Sequence, residues 1–61
     1  MKVRYVIGLV ESAGWRQVRQ RGSHRQFKHP TRPGLVTIAG HLSDELRPKT
    51  LDSILKQAGL K

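Results

Sequence analysis

Sixty-one residues without a cysteine make one small domain, near the lower limit for burying a core unaided, with no disulfide framework or thiolate metal site to help. No run approaches the ~18 apolar residues of a membrane span and the amino terminus lacks a signal-peptide apolar region, so the expectation is a soluble, cytoplasmic chain. Twelve Lys and Arg against four Asp and Glu give a net charge of +8, a field that draws polyanions.

Val3, Val6, Ile7 and Val10 stand at i, i+3, i+4 and i+7, one stripe of a helix. Tyr5, Leu9 and Ala13 widen the stripe, and Gly14 supplies the left-handed residue that often closes a helix, so the first helix is expected over Lys2 to Ala13. Trp15 to Gln20 reads as a strand in which only Trp15 and Val18 are apolar, and Arg21-Gly22 reads as a tight turn. That turn sets Gln20 opposite Ser23, Arg19 opposite His24 and Val18 opposite Arg25. Phe27 is the one large apolar residue of the second strand, so its face is the buried one and Val18 joins it. Trp15, Gln17 and Arg19 then share the wet face with His24, Gln26 and Lys28. Arg16 and Arg25 point inward and must reach the sheet edge for water.

Pro30 to Gly34 is a turn by composition, and Leu35 to Ala39 is a third strand with Val36 and Ile38 on one face. Gly40 to Arg47 is a loop whose path the residues do not define. Pro48 suits the first turn of a second helix, and Leu51, Ile54, Leu55 and Ala58 repeat the helical stripe before Gly59. Asp52 and Lys56 make an acid-before-base i, i+4 pair. The expected fold is α+β, in the order αβββα. Two helices cover one face of a three-stranded antiparallel sheet, and the other face is left wet. The expected core is Val6, Ile7, Val10, Val18, Phe27, Val36, Ile38, Leu51, Ile54 and Leu55.

The chemistry gathers between Gln20 and Pro30. Arg16, Arg19, Arg21, Arg25 and Lys28 crowd this stretch, whereas Asp44, Glu45 and Asp52 come later, a distribution that favours nucleic acid over mere solubility. His24 and His29 are five apart, which sends them to opposite faces of a strand. With no adjoining carboxylate they make a poor metal site, so no metal or cofactor is expected. An imidazole exchanges protons near neutral pH and serves as a general acid or base. RNA carries its own nucleophile, the 2′-hydroxyl, so His24 amid cations suits phosphodiester cleavage. Arg19, Arg25 and Lys28 are candidates to hold the phosphate and stabilise the charge on the phosphorane. Arg21 and Ser23 complete the expected RNA-binding set, although Ser23 equally suits a purely turn-forming role. Trp15 either stacks a base or, the favoured reading, covers the edge of the core. His29 and His41 are the candidates for a second proton-transfer group.

Gly14-Trp15 before a strand, Gly22-Ser23-His24, Phe27-Lys28-His29-Pro30, Gly34-Leu35-Val36-Thr37-Ile38 and the run from Thr50-Leu51 to Leu60 resemble the HicA toxins of HicA–HicB toxin–antitoxin pairs. The resemblance extends from about Val6 to Leu60. Ala39-Gly40-His41 stands where that family commonly has a Pro-His pair. The resemblance implies a fold similar to a double-stranded-RNA-binding domain. It also implies a metal-independent endoribonuclease that cuts single-stranded mRNA, with His24 matching the catalytic histidine. The implied partner is a HicB-like antitoxin, which the +8 charge leads us to expect to be acidic. The alternative expectation is a non-catalytic RNA-binding module of the same fold.

Overall fold

In the computed structural model, which describes residues 1–61, the valine stripe winds as α1 (Val3–Ser12) and puts Val3, Val6 and Val10 fully inside. Tyr5 and Leu9 do not widen the buried face as expected; they are exposed. At 100° per residue Tyr5 lies across the helix from Val3 and Val10, and Leu9 lies on the flank of the stripe. The loop after the third strand runs back along this helix. Its carbonyls, at Asp44 and Leu42, accept the N–H groups of Val3 and Arg4 at 2.9 and 3.1 Å. Those donors have no partner within the helix, so the loop does the work of the missing side-chain cap. A Lys2–Glu45 bridge and the Met1 ammonium on Glu45 at 2.9 Å extend the same seam.

Three strands follow: β1 (Arg16–Arg21), β2 (His24–Lys28) and β3 (Val36–Ala39), antiparallel and in the order β1-β2-β3. The chain ends in α2 (Pro48–Gln57), which opens on the expected proline. The order αβββα is as read from the residues. Both helices pack against β3, and no residue of β1 is buried, so β1 is an edge strand outside the helical cover. No helix is long and apolar enough to cross a membrane.

The turn of the hairpin lies one residue later than expected, which slides the strand pairing by two. Gly22-Ser23 is the two-residue loop, with Arg21 opposite His24, Gln20 opposite Arg25 and Arg19 opposite Gln26. The reason is the turn itself. Its first central position needs a positive φ, which Gly22 supplies at +58° and an arginine would resist. A bulge then falls between Gln17 and Arg19, leaving Val18 unpaired while Gln17 faces Phe27 and Arg16 faces Lys28. Val18 is therefore 56 % exposed instead of buried. The bulge also reverses the alternation beyond it, so Arg16 turns outward and Gln17 inward.

The core consists of Val3, Val6, Val10, Trp15, Phe27, Val36, Ile38, Ile54 and Ala58, with Ile7, Ala13, Leu46 and Leu51 packed around it. Leu55 is half-buried. Trp15 belongs to this core and not to the wet face of the sheet. Its indole N–H donates to the Ala58 carbonyl at 3.1 Å, closing the end of α2 onto the α1–β1 junction. The edge of the His29 ring meets the indole with centroids 5.3 Å apart.

Candidate functional site

Directly opposed residues of antiparallel strands share a face. Arg21, His24 and Ala39 therefore form one row across the open face of the sheet, and Arg19, Gln26 and Thr37 form the next. Arg16 and Lys28 begin a third row. In a regular strand, residues 16 and 19 would lie on opposite faces. The Val18 bulge brings Arg16, Arg19 and Arg21 to the same one, as a cationic column along the sheet edge. Beside that column Arg19, Arg21, His24, Gln26 and Thr37 line an open depression of about 360 Å³ with no hydrophobic wall.

His24 is exposed there, at the first residue of β2, held by the turn on one side and by pairing to Ala39 on the other. Its place on a backbone fixed from both sides gives the ring a defined origin and free access to solvent. None of the three strands contains an acidic residue. The ion pairs lie elsewhere: Met1 with Glu45, and Asp52 with Lys56 and Lys61. Arg16, Arg19, Arg21 and Lys28 are thus exposed cations without a carboxylate to neutralise them. An anion entering the depression meets uncompensated positive charge next to an imidazole.

Arg25 stands apart from this set. It lies on the helix side of β2, half-buried, and its Nη1 donates to the Gly40 carbonyl at 2.8 Å and to the Ser23 carbonyl at 3.3 Å. A cation without an acidic partner is stabilised here by two carbonyl dipoles, and it ties the β1–β2 turn to the end of β3. Ser23 sits in the turn, half-buried, its carbonyl also accepting the Gly40 N–H at 3.2 Å.

The other two histidines are not beside His24. His29 lies past the far end of β2. Its Nδ1 accepts the backbone N–H groups of Thr31 and Arg32 at 3.1 and 3.2 Å, so the proton is on Nε2, which donates to the Ala13 carbonyl at 3.0 Å. Nε2 thus holds the α1–β1 junction, and Nδ1 holds the turn that follows β2. His41 is exposed in the loop after β3, and its backbone N–H is bonded to Asp44 at 3.0 Å. No three His, Asp or Glu side chains converge anywhere as a metal cage would require.

The residues unassigned from sequence are Gln26 and Thr37. Alternation alone places Thr37 outward, since Val36 and Ile38 point in. Its adjacency to Gln26 rests on the β2–β3 register, which no local signal carries.

No curated protein matches the chain. A family model described as the HicA toxin of bacterial toxin-antitoxin systems matches residues 3–60, leaving out three of the 61. The αβββα order, the Gly22-Ser23-His24 turn at the mouth of the depression and this match agree, and the chain belongs to the HicA toxin family of bacterial toxin–antitoxin systems.

Proposed function

We propose that this toxin is an endoribonuclease that cuts messenger RNA in the cytoplasm without a metal ion, with His24 carrying proton transfer. The single observation that supports this best is the exposed imidazole in a depression walled by unneutralised arginines. Arg19, Arg21 and Lys28 hold the phosphodiester and stabilise the extra negative charge of the phosphorane. The 2′-oxygen attacks phosphorus and the bond from phosphorus to the 5′-oxygen breaks. One proton leaves the 2′-hydroxyl and one is gained by the 5′-oxygen. His24 moves one of them, and water in the open depression moves the other. The products are a 2′,3′-cyclic phosphate and a 5′-hydroxyl. The only observation favouring a non-catalytic RNA-binding module is that the depression holds a single proton-exchanging side chain.

The partner follows from the same surface. A HicB-like antitoxin with an acidic face would cover His24 and the rim of Arg19, Arg21 and Lys28, excluding substrate by contact alone. The test of the chemistry is a strand carrying one 2′-deoxy sugar at the scissile nucleotide. Cleavage stops at that bond and persists at others, and the natural strand yields cyclic-phosphate ends in the presence of a strong chelator. Cutting of the deoxy position at the normal rate would replace the internal nucleophile with water.

A further inference from the structure

Cations explain how the face holds a phosphate, yet two of the five groups lining the depression, Gln26 and Thr37, carry neither a charge nor an exchangeable proton for acid–base work. Gln26 and Thr37 are directly opposed on β2 and β3, on the same open face as the arginine column and inboard of it, with Gln26 opposite Arg19. The four glutamines of the chain divide sharply in what they do. Gln17 donates to the Gln20 side chain, Gln20 to the Gly22 carbonyl and Gln57 to the Leu35 carbonyl. Gln26 alone has no side-chain partner, although it is half-buried at the centre of the sheet. A primary amide there presents a donor and an acceptor side by side, and the Thr37 hydroxyl adds one of each. Neither group is needed to neutralise phosphate.

We propose that Gln26 and Thr37 form a nucleobase subsite beside His24 and read the edge of an unpaired base next to the scissile phosphate. The inference rests on the endoribonuclease reading and deepens it. With the phosphate held by Arg19 and Arg21 and the reacting sugar at His24, the adjoining base reaches the part of the depression that β2 and β3 supply. Recognition of single-stranded RNA proceeds through such hydrogen bonds to splayed base edges. The amide of Gln26 matches the adjacent donor and acceptor of adenine, as glutamine does elsewhere. The subsite is small and open, so it selects one base and not a sequence.

The test is a coupling cycle between side chain and base. Cleavage rates are measured for wild type and Gln26→Ala on a short RNA with adenine, each other base, or an abasic sugar next to the scissile bond. Wild type prefers adenine to the abasic sugar by about 5- to 150-fold, the range of one good bidentate contact. Gln26→Ala loses that factor on adenine and then treats adenine and the abasic sugar alike. Thr37→Val, which keeps the shape of the side chain, loses a smaller part of it. If Gln26→Ala retains the full wild-type preference while folding normally, the subsite is overturned. Should wild type cleave nothing, the same strands are compared by binding to His24→Ala with and without Gln26→Ala. A base preference that vanishes with Gln26 upholds the subsite even as the nuclease reading falls. A preference that survives, or no preference at all, removes the subsite too.

Discussion

Arg21 and Arg25 flank the same turn and have different fates, because one side chain enters the open depression and the other is anchored among carbonyls. Removing Arg19 or Arg21 should weaken RNA binding and make its dependence on log salt shallower by roughly 0.7, one phosphate contact on a single strand. Arg25→Ala should leave that slope unchanged and instead lower stability by about 1.5–3 kcal/mol, the worth of hydrogen bonds to a charged group. Salt titrations and urea melts on the two variants separate these roles. The charge of Arg25 was legible in the sequence and so was its inward direction, but not the Gly40 carbonyl that receives it. That acceptor lies fifteen residues away, beyond any local pattern. Gly14 is the other position where one atom decides. It has φ +99°, and an added Cβ would stand 2.7 Å from His29 Nε2, so Gly14→Ala should destabilise by well over the ~1 kcal/mol of the backbone term alone.

Among the elements, the helices were the most legible and β1 the least. The 3.6-residue stripes of Val3, Val6 and Val10 and of Leu51, Ile54 and Ala58 have few competing explanations. In β1 only Val18 is apolar, so alternation has nothing to reveal a bulge; the misplaced turn slid the pairing by two and kept the faces, and the bulge is what took Val18 out of the core. A stability measurement on Val18→Thr checks the corrected register. The change should fall within about 0.5 kcal/mol, as for a surface site, whereas a buried valine would leave an unpaired hydroxyl costing more. In α2, hydrogen bonds first from Lys61 and then from Lys56 hold the half-buried Asp52 carboxyl below its ordinary pKa. The unfolded chain binds a proton there at a higher pH than the folded one does. This contribution is therefore complete above the ordinary carboxylate range and disappears as pH falls through the lowered value. Asp52→Asn should flatten the acid limb of a melting-temperature curve while leaving RNA cleavage at neutral pH in place.

For the whole molecule, the decisive feature is a segregation of charge. The strands carry five Arg and Lys and no acid, while Asp44, Glu45 and Asp52 are occupied at the loop and helix positions that brace the fold. One face of a 61-residue chain is therefore left to attract a polyanion, and in the proposed function an acidic antitoxin would compete with RNA for that surface. Net charge and the cluster from Arg16 to Lys28 made this visible in the sequence. Part of the company His24 keeps was visible too, since Arg19, Gln26 and Lys28 were expected on its face, whereas Arg21 arrives only through the corrected turn and Thr37 only through strand pairing. The central claim is that this face performs chemistry and does not merely bind. It is tested by inducing wild type and His24→Ala in cells and following RNA integrity, with cleavage, RNA binding and melting temperature measured on the purified proteins. His24→Ala opens no core cavity, so the account predicts a stability change within about 0.5 kcal/mol. RNA binding is retained and cleavage falls by ~10²–10⁴-fold, the loss of a general acid–base group. A His24→Ala protein that folds normally and still cuts RNA at the wild-type rate would contradict it.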